Sequence, residues 1–203
     1  MKLLLATQNE HKVDEITRLL HSYELEIVSL LDFPEIGEII EDGDTLDANA
    51  LIKAKAGYQH CGLPTIADDT GLAVDALNGA PGVYAARYAG EHVTYDQNVQ
   101  KMLDEMQSIP TDKRQAQFQT VAVFYDGENV VSALGEVEGL ITSERQGDSG
   151  FGYDPIFYVP HMKKTYAQMG LSEKNKLSHR KRAFENLFNK LNQTHQAFRA
   201  GLR

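Results

Sequence analysis

A single cysteine, Cys61, stands among 203 residues, so no intrachain disulfide can form. With no secretory signal in view, this predicts a reducing, cytoplasmic setting. Cys61 precedes Gly62 and has no second cysteine or metal-spaced histidine near it, so it reads as a small packing residue rather than a nucleophile. Long hydrophobic runs are missing too. The run Leu3-Leu4-Leu5 is too short to span a membrane, and polar Gln8 and Asn9 follow it closely. No repeat, low-complexity tract or linker divides the chain. Positive charge is scarce: 20 Lys and Arg face 29 Asp and Glu, a net charge of -9. Such a surface repels nucleic acid and anionic membranes, so neither is expected as a partner. It repels nucleotides as well, so a nucleotide site here requires local Lys and Arg or a bound cation.

What is present suits a packed α/β protein. Hydrophobic residues make up 42% and charged residues 24%, enough for a core. The length suits one domain, 1–203, or two small lobes sharing a core. Residues 2–6 read as a buried strand, and 10–21 as a helix with Val13, Ile16, Leu19 and Leu20 at helical spacing. Six carboxylates crowd 35–47, and the pair Asp44 and Asp47 has capping-box spacing ahead of an Ala-rich helix over 46–58. Residues 64–75 read as strand, tight turn, strand, broken at Asp68-Asp69-Thr70-Gly71. Asn78 to Gly82 is a loop. Thr94 and Gln97 cap a helix carrying Val99, Met102, Leu103 and Met106. Residues 115–125 and 130–141 form a hairpin about Asp126 to Asn129. A glycine-bearing loop, Gly147 to Gly152, precedes a last helix from about Ser178 to Leu191. The expected fold is a mixed sheet flanked by helices.

Four constellations carry possible chemistry. The loop Thr7-Gln8-Asn9-Glu10-His11-Lys12 opens a helix, where unpaired N–H groups and a partial positive charge suit phosphate. It lacks the Walker-type glycines, and the alternative is that Asn9 only caps the helix while Lys12 is solvated. Glu41, Asp68 and Asp69 offer hard oxygens for Mg²⁺. Adjacent strand residues point to opposite faces, so Asp68 and Asp69 reach one metal only if the chain bends, which Thr70-Gly71 would allow. A turn-forming Asp pair is the plain alternative. The carboxylates of haloacid-dehalogenase phosphatases are spaced two apart after a strand, which this pair is not. In Ser149-Gly150-Phe151-Gly152-Tyr153-Asp154-Pro155, two glycines around an aromatic admit a flat ligand, with Phe151 or Tyr153 to stack on it; an ordinary loop with core aromatics fits equally. Finally, Lys174 leads to Ser178-His179-Arg180. Cations in a first helical turn oppose the helix dipole, and a ligand anion would offset that; otherwise the segment is a basic surface patch. All four fit one anionic, aromatic ligand.

These segments, in this order, closely resemble the inosine/xanthosine triphosphate pyrophosphatase family, also called the Ham1 or RdgB family. The likeness runs from Leu5-Ala6-Thr7-Gln8-Asn9 and Lys12 through Glu41 to Thr45, Asn49-Ala50 and Lys53-Ala54. It continues through Ile66 to Leu72, Gly79 to Val83, Ala86 to Gly90, Gly150 to Phe157, Lys174, and Ser178 to Arg180, spanning residues 2–190. The resemblance implies an elongated α/β fold in two lobes with the nucleotide in the cleft between them, and a homodimer. It implies Mg²⁺-dependent hydrolysis of ITP, dITP and XTP to the monophosphate and pyrophosphate. It further implies Thr7 to Lys12 as the phosphate loop, Asp69 as general base and metal-linked carboxylate, and Glu41 and Asp68 beside the metal. Thr70, Phe151, Gly152, Tyr153, Asp154, Lys174, His179 and Arg180 would contact substrate. Two positions depart from the family: Thr70 replaces the usual Ser and keeps the hydroxyl, and Ala48 replaces the usual Glu. Asp47 is next door, but on a helix it points about 100° away. The alternatives are a nucleotide-binding regulator without turnover, or a pyrophosphatase for other modified nucleotides. Base choice is expected to rest on donors from His179 or Arg180 against a 6-oxo purine.

Overall fold

The computed structural model describes residues 1–21 and 23–194. In chain order the main elements are strand β1 (Lys2–Leu5), helix α1 (Glu10–Leu19), β2 (Glu26–Ser29), α2 (Leu46–Cys61), β3 (Thr65–Val74) and β4 (Pro81–Gly82). They continue with α3 (Tyr95–Glu105), β5 (Gln115–Tyr125), β6 (Val130–Ile141), β7 (Phe157–Val159), β8 (Lys164–Thr165), α4 (Leu171–Lys174) and α5 (His179–Thr194). The sheet order is β2-β1-β3-β5-β6-β7-β8, with β4 pairing β3. The β1 pairs are parallel and the β7 pairs antiparallel. This is a mixed α/β fold with helices against a mixed sheet. Among the described residues no helix is long and apolar enough to cross a membrane.

Two compact units divide the chain. The first holds Met1–Asp69, Thr120–Gly135 and the stretch from Arg180; the second holds Thr70–Gln119 and Glu136–His179. In the first unit β1, the start of β3 and the end of β5 are buried on both faces, and their side chains alternate between two cores. Leu3, Leu5, Ile66, Ala122 and Phe124 pack under α1 and α5, against Ile16, Leu20, Phe184, Leu187 and Phe188. Leu4, Ala6, Ala67, Val121 and Val123 face the other way, against Ala50 and Ala54 of α2. The second unit has its own core, in which Val99, Met102 and Met106 of α3 meet Leu72, Val74, Phe118, Phe157 and Tyr166.

Two local expectations are corrected. Residues 64–75 do not turn: β3 runs unbroken from Thr65 to Val74 through Asp68-Asp69-Thr70-Gly71. The polar pair stays in the strand because both carboxylates find cationic partners on opposite sides of the sheet. The cap of α2 is Thr45, whose hydroxyl accepts from Ala48 N at 3.1 Å, rather than Asp44. Asp47 instead accepts a hydrogen bond from the Ser132 hydroxyl. The Thr94–Gln97 capping box forms as expected.

Candidate active site

The alternation that splits the two cores also splits the two aspartates. Ile66 faces α1 and α5, Ala67 faces α2, and the next two residues repeat that order. Asp69 therefore falls on the α2 side. There Lys53 Nζ donates to Asp69 Oδ1 at 3.3 Å and to Glu41 Oε2 at 2.7 Å. Asn49 Nδ2 donates to Asp69 Oδ2 at 3.3 Å, while its Oδ1 accepts from Gly43 N at 2.8 Å. Asn49 and Lys53 lie four apart on α2, so one helix face serves Asp69 twice and also anchors the acidic loop. Gly43 is needed there: a Cβ would stand 2.7 Å from Asn49 Oδ1 and 2.8 Å from Ala48 Cβ. Burial pushes the Asp69 carboxyl above its ordinary value against the pull of Lys53 and Lys12, and Glu41 adds to the rise. Burial acts to lower Lys53, yet Asp69 and Glu41 outweigh it and hold the ammonium firmly charged.

Asp68 falls on the α1 and α5 side. Its Oδ2 accepts from Arg180 Nε and Nη2, both at 3.1 Å, and pairs with Lys12 Nζ at 3.1 Å. Burial alone would raise Asp68, but Lys12 and Arg180 outweigh it and hold its carboxyl well below the usual range. Arg180 Nη1 also donates to Glu15 Oε2 at 2.5 Å. Arg180 is thus buried among carboxylates of its own chain. Burial lowers the Lys12 ammonium below its ordinary value, with Asp68 opposing. In the loop before α1, Asn9 Oδ1 accepts from the N–H groups of His11 and Lys12, and Thr7 Oγ1 accepts from Asn9 N. Gln8 donates to Gly37 O at 2.9 Å, and Glu10 and His11 are exposed. Asn9 is therefore a cap, and Lys12 is a half-buried paired cation rather than a solvated one.

The second unit gathers the remaining candidates. Asp154 and Lys174, both buried, pair at 2.7 Å, and Asp154 Oδ2 also accepts from Phe151 N at 2.9 Å. Lys174 Nζ lies 4.9 Å from the Phe151 ring centre and 5.4 Å from that of Tyr166. Gly150 has φ +78°, and a Cβ on it would run into the Asp154 carboxylate. Of the two stacking candidates, Phe151 is half-buried and 5.8 Å from exposed Tyr95. Tyr153 belongs to the core, its hydroxyl donating to Ala85 O. His179 stacks on Phe118 at 4.4 Å. Gly152 and Thr70 are half-buried in this unit.

Among the described residues no group of three His, Cys, Asp or Glu side chains forms a ready metal cage. Mg²⁺ does not require one, since it keeps waters and binds through one or two carboxylates plus substrate phosphate. Glu41 and Asp69, converging on one ammonium, are a donor pair of that kind. Asp68 is held by Lys12 and Arg180 on the opposite strand face.

Sequence comparison gives the same chain a lineage. The Ham1 family matches residues 3–190. This chain belongs to the Ham1 family. A relative from Thermoanaerobacter sp., called a dITP/XTP pyrophosphatase, is 44% identical over 189 residues, covering 93% of this chain and 96% of that protein. Another of that name from Bacillus cereus is 45% identical over 193 residues, covering 94% of each. The solved HAM1 protein of Coxiella burnetii is 38% identical, covers 96% of this chain and 100% of its own, and superposes with a TM-score of 0.85.

Within this Ham1 chain, sequence reasoning assigned no site role to Lys53, Asn49 or Glu15, although Lys53 and Asn49 stood inside quoted motifs. A lysine on an Ala-rich helix face and a glutamate beside core Ile16 were the available signals. Asp47, next to Ala48, accepts a hydrogen bond from the Ser132 hydroxyl.

Proposed function

We propose that this chain is a Mg²⁺-dependent pyrophosphatase that hydrolyses ITP, dITP and XTP to the monophosphate and pyrophosphate, working as a cytoplasmic homodimer. The observation that carries the reading is Asp69: a carboxylate that burial raises above its ordinary value, fixed by Asn49 and Lys53, with Glu41 beside it and Lys12 across the strand. A general base works best with a value near the operating pH, so the rise suits proton removal from the attacking water. Asp69 accepts that proton as the water oxygen bonds to phosphorus, and the α–β phosphoanhydride bond breaks toward pyrophosphate. When bound by Glu41 and Asp69, Mg²⁺ would neutralise phosphate charge beside these carboxylates. Lys53 keeps both carboxylates in place. Lys12 supplies positive charge to the phosphates. Within the second unit, Phe151 beside the Asp154–Lys174 pair offers a ring on which a flat base would stack. The relatives' name and the Ham1 match support the substrate class.

The test is kcat/KM for ITP, XTP, ATP and GTP, with Mg²⁺ and after chelation. ITP and XTP should be cleaved much faster than ATP, with pyrophosphate released and activity lost to EDTA and restored by Mg²⁺. Full activity after rigorous chelation, or equal rates on ATP, would overturn the reading; nucleotide binding without turnover would leave a regulator.

A further inference from the structure

Helix α1 buries a carboxylate that the proposed reaction does not use. Glu15, next to core Ile16, is 1% exposed, and so is its partner Arg180; Asp68 is 2% exposed. The charges run Glu15, Arg180, Asp68, Lys12 in alternating sign, linked by contacts of 2.5, 3.1 and 3.1 Å. Each inner member has an opposite charge on both sides, which is what makes burying them tolerable. Yet hydrophobic residues of similar volume often hold a core as well or better, so stability alone is a weak reason for such a chain. The outer end differs from the rest. The Lys12 side chain is 15% exposed, against 1–2% for the other three.

We infer that Glu15 and Arg180 are positioning residues for phosphate recognition, fixing the Lys12 ammonium through Asp68. This rests on the reading that Lys12 takes substrate phosphate. Lys12 and Glu15 lie three residues apart on one helix, yet they communicate through β3 and α5, closing a ring of three elements. An ammonium has three donors. Lys12 directs two at Asp68, to the carboxylate at 3.1 Å and the backbone carbonyl at 3.4 Å. The third is left for an anion. Arg180, gripped by Glu15 at one end, presents two N–H groups to the same Asp68 oxygen and so fixes where that oxygen stands. Without Glu15, Arg180 and Asp68 re-pair and the third Lys12 donor loses its aim.

The test is a double-mutant cycle between Glu15→Gln and Lys12→Ala, read by calorimetric binding of inorganic tripolyphosphate without metal and by ITP kinetics. In the wild-type background Glu15→Gln should weaken tripolyphosphate binding about tenfold, the scale of one misplaced charged hydrogen bond. KM for ITP should rise in step, with kcat within about twofold. In the Lys12→Ala background Glu15→Gln should change binding by less than about twofold, because the group it positions is gone. Glu15→Asp, which keeps the charge, should recover part of the loss. Equal losses in both backgrounds, or no loss in either, would overturn the inference. If Lys12→Ala itself binds tripolyphosphate like wild type, the phosphate role of Lys12 fails and this inference with it. If Lys12→Ala loses binding and Glu15→Gln does not, this inference alone fails. Should Glu15→Gln not fold by thermal melting, Glu15→Asp and Arg180→Lys carry the same cycle.

Discussion

Two neighbouring aspartates should answer the same substitution in different ways. Asparagine mimics the neutral form of aspartate at nearly constant shape. The fold disfavours the charged form of Asp69, whose carboxyl is raised by burial, and favours the charged form of Asp68, held low by Lys12 and Arg180. Asp68→Asn therefore leaves Arg180 buried with Glu15 as its remaining charged partner and Lys12 against an amide. Breaking one member out of a buried ion pair costs about 3–5 kcal/mol. With a urea slope of about 3 kcal/mol per molar, the unfolding midpoint should fall by roughly 1–1.7 M at pH 7. Asp69→Asn leaves Lys53 paired with Glu41, so its midpoint should fall by less than that of Asp68→Asn, while kcat should fall by about 10²–10⁴-fold through loss of the base. Urea titrations of both variants, paired with ITP kinetics, decide the matter. Equal midpoints for the two variants, or a larger loss for Asp69→Asn, would refute the assignment of opposite strand faces to opposite tasks.

Three further outcomes follow from the same geometry. Lys53→Met removes the cation that lowers Asp69, so the acidic limb of the kcat/KM profile, which reports ionisation of the base, should move to higher pH; an unmoved limb would exclude Asp69 as the titrating group. Because the folded Asp68 carboxyl lies below its ordinary 3.8, its contribution is complete above that pH and is lost as pH falls toward the folded value. Wild-type stability should thus drop on acidification below about pH 4, and the drop should be smaller in Asp68→Asn when both are followed by urea midpoints. Gly150→Ala forces a side chain into the left-handed region and into the Asp154 carboxylate, so thermal unfolding should show a loss of about 1–3 kcal/mol; KM for ITP should rise more than kcat falls.

Much of the framework was legible because its signals are local. The strands 115–125 and 130–141, their Asp126-Gly127 turn and the Thr94–Gln97 cap depend on residues a few positions apart, and all stand as read. Strand β3 was misread as a turn because Asp-Asp-Thr-Gly has turn chemistry, and the partners that keep it extended lie far along the chain: Lys53 sixteen residues before Asp69, Arg180 112 after Asp68. The alternation rule did separate Asp68 from Asp69; what it left unnamed was who waits on each side. Arg180 is the instructive case. Its place at the start of α5 called for an anion, and anions are there, but they are Asp68 and Glu15 of the protein itself. Glu15 and Lys53 stayed without roles because burial of a charge is a property of the folded neighbourhood.

The small residues of α2 act as a spacer. Ala50, Ala54 and Gly57 line the same helix face as Lys53, and a Cβ on Gly57 would come within 2.8 Å of Leu4 Cδ2 and 3.1 Å of Thr65 Cγ2. The helix thus packs on the Leu4 and Thr65 side chains with no room for one of its own at Gly57, and that nearness sets how far the Lys53 stem must reach for Asp69. A single added methyl at Gly57 would lever the helix outward, and the ammonium would leave Asp69 while every site residue remained intact. The separation between proton acceptor and cation is therefore gauged by a residue with no side chain, a full helical turn beyond the lysine it serves.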